Sequence, residues 1–175
     1  MIPWLQTYTG KKFYPLNPTL ESICIEDIAH GLSLQCRFNG ATSIFYSVAE
    51  HSVRVSMNLP QELALWGLLH DAAEAYMGDL VSPIKYQPEA KWFRDVEEGL
   101  MEAIASKFGL VWPMPKEVKK MDYVLLATEA RDLMTTPWLW SITEKPLETK
   151  IVPIAPLVAE WAFLDQFVFC VLASL

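Results

Sequence analysis

Apolar residues recur along this chain at the spacing of an α-helix, and no run alternates with the two-residue period of a half-buried strand. The clearest stripe ends at Gly109 and consists of Phe93, Val96, Leu100, Ile104 and Phe108. Two later stretches, "KEVKKMDYVLLATEARDLM" and "PLVAEWAFLDQFVFCVL", predict further long helices. With 175 residues, of which 52% are hydrophobic, the chain can build one sizeable core. The predicted fold class is therefore all-α, as one compact helical domain over residues 1–175.

Signals for helix ends place the other predicted elements. The segment "TGKKFYPLNPTL" is rich in turn formers and is expected to run extended over the surface, and a short helix is predicted within "ESICIEDIAHGLSL". Ser47 and Glu50 have the spacing of a capping box, which puts His51 early in the following helix. Pro60 suits the first turn of the next helix, which is predicted to continue through "QELALWGLLHDAAEAYM" as far as Gly78.

Charge, cysteine content and apolar run length limit the partners and the compartment. A formal net charge of −7 argues against sequence-independent binding to nucleic-acid backbones, which depends on clustered Lys and Arg. The three cysteines are odd in number and lack C-x-x-C spacing, so neither a disulfide framework nor a thiolate zinc site is predicted. The apolar stretch "FVFCVLASL" is half the length of a membrane span. We therefore expect a cytoplasmic protein that binds a small molecule, with no nucleic-acid or membrane partner.

The stretch "LLHDAAEAYMGDL" places ionisable residues in a helix that otherwise builds a core. His70 and Asp71 point about 100° apart around a helix axis, so both can reach one ion that lies between their directions. An imidazole together with a carboxylate suits a borderline divalent metal. His51 and Asp122 are the candidates for a third and a fourth ligand. Two histidines and two aspartates leave room on the ion for water and a phosphate oxygen, which indicates hydrolysis.

Each of these residues also has a structural interpretation. A buried histidine is usually a hydrogen-bonded core residue. Glu74 could lie on the surface, Asp79 could cap the turn that follows, and Asp122 could sit in the favourable field of a helix N-terminus. His30 is interpreted as structural, with no role in metal binding. The metal hypothesis explains the candidate residues together, whereas the structural interpretations need a separate cause for each.

A histidine, then a His-Asp pair, then a distant aspartate on the helices of an all-α domain resembles the HD superfamily of metal-dependent phosphohydrolases. The blocks "SVAEHS", "LLHDAAEAYMGDLVSPIK" and "KKMDYVLLATEARDLM" are similar to those of small nucleotide phosphohydrolases typified by the bacterial 5′-deoxynucleotidases. The stretches "TYTGKKFYPLNP" and "ICIEDIAHGLSLQCRFNG" resemble the N-terminal part of a bacterial and phage subgroup. The resemblance covers nearly the whole chain and implies one HD-type domain over residues 1–175. If a phage encodes the protein, the expected compartment is the cytoplasm of the host.

This resemblance implies roles for the matching residues. The ligands of one divalent transition metal, with zinc, cobalt or manganese expected, would be His51, His70, Asp71 and Asp122. Glu74 and Asp79 would be the acidic residues beyond the metal. One would help to deliver the attacking water and the other would protonate the leaving oxygen, and the sequence does not assign these two roles. The residues expected to contact the nucleotide are Arg37, Phe38 and Lys85.

The implied substrate is a 2′-deoxynucleotide. Similarity to small phage enzymes that remove dATP favours a dNTP triphosphohydrolase with a dATP preference. The alternatives are a 5′-deoxynucleotidase acting on dNMPs and a non-catalytic nucleotide-binding domain with a structural metal. Residues 41–44, Ala-Thr-Ser-Ile, depart from relatives that carry a histidine and basic residues there, so polyphosphate or sugar recognition by this loop is not carried over. Composition and oligomeric relatives lead us to expect a homo-oligomer.

Overall fold

The computed structural model describes residues 3–136 and 142–173, and most of these residues are helical, as predicted. Two short strands come first, β1 (Leu5–Gln6) and β2 (Lys12–Phe13). The α-helices that follow are α1 (Ile25–Leu34), α2 (Val48–Met57), α3 (Gln61–Leu69), α4 (Glu74–Met77), α5 (Ser82–Lys85), α6 (Lys91–Lys107), α7 (Lys116–Leu133) and α8 (Pro156–Leu172). Within the described ranges, 3₁₀ segments occur at Arg37–Gly40 and Pro88–Ala90.

The opening segment forms a small antiparallel hairpin, so the strict all-α prediction needs correction here. Strands β1 and β2 pair with Leu5 opposite Phe13, and Gly10 occupies the turn between them at φ +82°. Phe13 is fully buried, and its ring stacks on that of Tyr76 with the centroids 4.1 Å apart. Strands of two residues are too short to show an alternating pattern, which explains why the sequence did not predict them.

The helix predicted to continue as far as Gly78 ends earlier, at Leu69. The chain then winds through residues 70–73 in a tighter turn, in which amides bond the carbonyl three residues earlier, as Glu74 N does to Asp71 O at 3.0 Å. Side chains three residues apart lie in line in such a turn. Asp71 and Glu74 therefore share one side of it.

Helix α2 is central and packs against α1, α3, α7 and α8. Its N-terminus has the predicted cap, because the Ser47 side chain accepts a hydrogen bond from Glu50 N at 3.0 Å. The Glu50 carboxylate accepts from Arg54 and from Ile154 N instead of closing the capping box, and so ties α2 to the segment before α8. Most of α2 is buried, and His51 consequently lies inside the core.

Helices α2 and α3 approach closely at Gly67. A Cβ atom at this position would lie 2.5 Å from Leu59 Cδ1 and 3.0 Å from Ser56 Cα. Glycine therefore allows the α3 backbone to rest directly against the end of α2. This packing holds His70, the residue that follows α3, beside His51 of α2.

One cluster of buried apolar side chains runs through the described residues, from Phe13 of β2 to Phe163 of α8. It includes Leu68 and Leu69, so the polar residues that follow α3 emerge directly from the core. In residues 3–136 and 142–173, no helix combines the length and apolar character needed to cross a membrane.

Candidate metal centre

Side chains from α2, α7 and the turn after α3 meet at one place, where two histidines are buried and two aspartates are partly exposed. His51 Nε2 lies 3.2 Å from His70 Nε2. Asp71 Oδ2 lies 3.2 Å from His70 Nε2, and Asp122 Oδ1 lies 3.2 Å from His51 Nε2. Nitrogen and oxygen atoms bound at about 2.0–2.2 Å to one ion are separated by distances of this size. The structure thus brings the ligand atoms of His51, His70 and Asp71 within 4.8 Å of one another, and it places Asp122, the fourth predicted ligand, against His51.

Hydrogen bonds on the far side of each imidazole determine which ring nitrogen faces the cluster. His70 Nδ1 donates to Gly67 O at 2.8 Å, and His51 Nδ1 donates to Glu129 Oε1 at 2.6 Å, because both partners are acceptors. The two Nε2 lone pairs therefore point at each other. Such a pair repels unless a cation lies between the rings, either a proton on one nitrogen or a metal ion bound to both. The donor set fits a metal ion.

The two aspartates of the cluster are stabilised as anions. Burial opposes the ionisation of Asp71, but His70 outweighs burial and lowers the pKa of this carboxyl. Burial likewise opposes the ionisation of Asp122, but the hydrogen bond to His51 and the charge of Lys119, whose Nζ is 2.6 Å from Asp122 Oδ2, hold its pKa well below 3.8. Two anionic oxygens and two imidazoles match the charge and chemistry of a divalent ion.

Glu74 has the opposite protonation tendency. Its side chain is buried, and Glu74 Oε2 accepts a hydrogen bond from Gln35 Nε2 at 3.3 Å. Burial, followed by the negative charges of Asp71 and Asp79, raises the pKa of Glu74 well above 4.5. Glu74 can therefore keep a proton at pH values where an ordinary glutamate has lost it.

Asp79 and Lys85 belong to a neighbouring ionic cluster. Lys85 Nζ lies 2.6 Å from Glu97 Oε1 and 3.3 Å from Asp79 Oδ1. Burial disfavours the Lys85 ammonium, but Glu97 and Asp79 outweigh burial and raise its pKa. The Asp79 side chain is 44% exposed, so this aspartate is open to solvent whereas Glu74 is not.

Arg37 lies against the candidate metal ligands, in a strained segment. Its Nη1 is 3.6 Å from Asp71 Oδ2, and its Nη2 is 3.1 Å from Glu129 Oε2. The guanidinium carbon stands 5.2 Å from the centre of the Phe38 ring. Phe38 and Asn39 adopt left-handed backbone conformations, with φ of 54° and 51°, which cost free energy in residues other than glycine. Arg37 and Phe38, both predicted to bind substrate, thus lie together beside the predicted ligands.

Comparison with known proteins places the chain among relatives of undescribed activity. No model of a protein family matches the sequence. The uncharacterized protein YfdR of Escherichia coli (strain K12) is 39% identical over 169 residues, which cover 94% of this chain and 93% of YfdR. The chain belongs to the YfdR family. An uncharacterized protein of Rhodobacter capsulatus is 36% identical over 126 residues, covering 67% of this chain and 64% of that protein.

Sequence reasoning missed one central residue of this YfdR-family site. Glu129 is completely buried, and its two carboxylate oxygens accept from His51 and Arg37 respectively. The available signal was its position seven residues after Asp122, which places both carboxylates on the same face of α7. Glu97, the main partner of Lys85, was also missed, because only the packing of α5 and α6 brings the two residues together.

Two other predictions concern residues outside the cluster. His30 stacks on Tyr8 with ring centroids 3.7 Å apart, and its Nδ1 lies 3.1 Å from Glu160 Oε2. These contacts agree with the structural role expected for it in this member of the YfdR family. Residues 41–44 form a largely exposed loop without a charged side chain.

Proposed function

We propose that this chain is a metal-dependent phosphohydrolase of the HD type, built as a single helical domain, that acts on 2′-deoxynucleotides. The observation that carries the proposal is the pair of buried imidazoles whose Nε2 atoms face each other at 3.2 Å. Both Nδ1 atoms are engaged elsewhere, and carboxylates flank the pair. A buried ion in such a set, with a guanidinium beside it, suits the hydrolysis of a phosphate ester.

The proposed metal ligands are His51, His70, Asp71 and Asp122. Zinc, cobalt or manganese is the expected ion, because these divalent ions accept mixed imidazole and carboxylate ligands. When bound, the ion would polarise a phosphate oxygen and lower the pKa of a water molecule.

Arg37 and Lys85 are proposed to bind phosphate. Arg37 extends Nη1 towards the cluster while Glu129 holds the other side of the guanidinium, so a phosphate oxygen near Asp71 would lie within its reach. Phe38 stands beside Arg37 and offers an aromatic surface for a nucleobase.

Glu74 is proposed as the proton donor to the leaving oxygen. It is a buried carboxyl whose pKa is raised, and it lies in line with Asp71 on the turn after α3. Asp79 is proposed to favour the protonated form of Glu74 and to orient Lys85.

The proposed substrate is a dNTP, with dATP preferred. One observation favours the alternative, a 5′-deoxynucleotidase acting on dNMPs: the described basic residues at the site, Arg37, Lys85 and Lys119, already contact carboxylates. A monophosphate needs fewer free positive charges than a triphosphate. Hydrolysis of a dNTP would release triphosphate, whereas hydrolysis of a dNMP would release a single phosphate.

The test is a panel of dNTPs and dNMPs incubated with protein purified without chelator and supplied with Mn²⁺, Co²⁺ or Zn²⁺, read by chromatography. Asp71→Ala should lose most bound metal and all turnover, because the Asp71 carboxylate lies beside both imidazoles, 3.2 Å from His70 Nε2 and 3.9 Å from His51 Nε2. Asp165→Ala, an exposed carboxylate on α8, is the matched control and should keep both.

The product distinguishes triphosphate release from monophosphate removal. A folded protein that binds metal but consumes no nucleotide would support a binding domain with a structural metal instead. Full turnover in Asp71→Ala would contradict the proposed site.

A further inference from the structure

Glu129 is a completely buried carboxylate that holds two candidate functional groups at once. Burying a carboxylate is costly unless charged or hydrogen-bonding partners compensate. The partners here are Arg37 and His51, one expected to bind phosphate and the other to bind metal. Glu129 therefore connects the proposed metal-binding group with the proposed phosphate-binding group, and the proposed reaction needs both.

The two oxygens of Glu129 divide these tasks. Oε1 accepts from His51 Nδ1 at 2.6 Å. Oε2 accepts from Arg37 Nε at 3.2 Å, and Arg37 Nη2 forms an ion pair with the same oxygen at 3.1 Å. His51 Nε2 consequently faces the other candidate metal ligands. Arg37 Nη1 lies on the side of Asp71, 3.6 Å from Asp71 Oδ2.

We infer that Glu129 is a positioning residue that fixes the tautomer of His51 and the direction of Arg37 through one carboxylate. The inference rests on the proposed function. It makes metal binding and phosphate binding interdependent, because a displacement of the carboxylate disturbs both partners. Carboxylates behind a metal-bound histidine contribute to metal affinity in this way.

Glu129→Gln tests the role with little change in shape. Both partners of Glu129 are donors, whereas a glutamine side chain offers one acceptor oxygen and one NH₂ donor, so it can satisfy only one of them. We expect the Kd for Co²⁺ to rise by about 10- to 100-fold and KM for the nucleotide to rise at saturating metal. Glu117→Gln, an exposed glutamate on the same helix, is the matched control and should change neither.

The decisive measurements are Co²⁺ titration by calorimetry, the visible absorption spectrum of bound Co²⁺, and KM and kcat measured separately. A change in melting temperature with unchanged Co²⁺ affinity, spectrum and KM would mean that Glu129 is merely structural and would overturn the inference. The proposed function fails differently, when the unmodified chain itself binds no divalent ion and hydrolyses no nucleotide.

Arg37→Lys provides a second test that leaves Glu129 in place. Lysine keeps the charge but loses the Nε–H group that donates to Oε2 and the planar guanidinium that holds this direction. Because Arg37 is not a proposed ligand, a several-fold weaker Co²⁺ affinity in this variant would support the coupling. If Glu129→Gln does not fold, unchanged Co²⁺ affinity in Arg37→Lys overturns the inference.

Discussion

Glu74 and Asp79 are acidic residues close to the same centre, and their surroundings suit them to different tasks. Glu74 is buried, and burial together with the charges of Asp71 and Asp79 raises its pKa well above 4.5. Asp79 is partly exposed and contacts Lys85. A protonated Glu74 that donates to the leaving group would become inactive as the pH rises through its pKa.

Asp79→Asn should therefore move the alkaline limb of the kcat profile to lower pH. Removing the Asp79 charge removes one of the causes that raise the pKa of Glu74, so Glu74 loses its proton at a lower pH. The measurement is kcat against pH at saturating substrate and metal. Asp95→Asn, an exposed carboxylate on α6 paired with Lys91, is the control. An unmoved limb in Asp79→Asn, or an equal shift in the control, would argue against Glu74 as the proton donor.

At the level of single residues, the sequence indicated the candidate metal ligands but did not indicate the buried residue that holds His51 and Arg37 in position. His51, His70, Asp71 and Asp122 stand out because polar residues interrupt apolar helices. In the structure the first three lie together, and Asp122 lies against His51. Glu129 does not stand out, because a glutamate in a helix is ordinarily solvated. Its burial depends on Arg37, which is 92 residues away along the chain.

At the level of elements, the bounds of α2, α7 and α8 agree with the helical stretches read from the sequence. The end of α3 was placed wrongly, because residues 70–73 are His-Asp-Ala-Ala, whose local preferences do not stop a helix. Local helix propensity therefore does not predict the tighter winding of this turn. The contact between α2 and α3 at Gly67 is likewise invisible in the helical pattern.

Gly67→Ala should destabilise the protein and weaken metal binding. The new methyl group could displace Leu59 Cδ1, but Ser56 Cα and N, at 3.0 and 3.1 Å, are backbone atoms that move only with the helix. Overpacking of about 1–3 kcal/mol should outweigh the roughly 1 kcal/mol gained in helix propensity. Separation of α2 from α3 would also pull His70 away from His51. Chemical denaturation and Co²⁺ titration measure the two effects.

Gly99→Ala is the matched control for this substitution. Gly99 lies in α6, and a Cβ atom there would meet no other atom within 4 Å. Its replacement should stabilise the protein by about 0.5–1 kcal/mol without changing the affinity for metal. Equal effects of the two substitutions would show that the α2–α3 contact does not determine the site.

For the molecule as a whole, the core is built around ionisable groups instead of excluding them. The cluster formed by His51, His70, Asp71 and Asp122 joins three separate parts of the chain: α2, the turn after α3, and α7. A ligand that binds such a cluster binds only the folded chain, because the unfolded chain does not hold these residues together. Metal binding is therefore expected to stabilise the entire domain.

Addition of Co²⁺ or Mn²⁺ to chelator-treated protein should raise its melting temperature. At a free metal concentration of about 100 times Kd, the free energy of unfolding increases by about 2.7 kcal/mol. For a chain of this length, that corresponds to roughly 5–10 °C. Calorimetry or fluorescence-detected unfolding measures the shift. An equal shift in Asp71→Ala would show that the ion binds elsewhere, and the absence of any shift would argue against the site.

The opposed imidazoles also link this site to the acidity of its surroundings. Burial and Arg37 disfavour a charged His51, but Glu129 and Asp122 outweigh them and raise the pKa of this imidazole. Without metal, the space between the Nε2 atoms of His51 and His70 therefore tends to hold a proton. A divalent ion that binds there must displace this proton to solvent. Occupancy then becomes a competition between two cations for one pair of nitrogens. Acidification would act as a competitive inhibitor of metal loading, even where the nucleotide and the fold are unaffected.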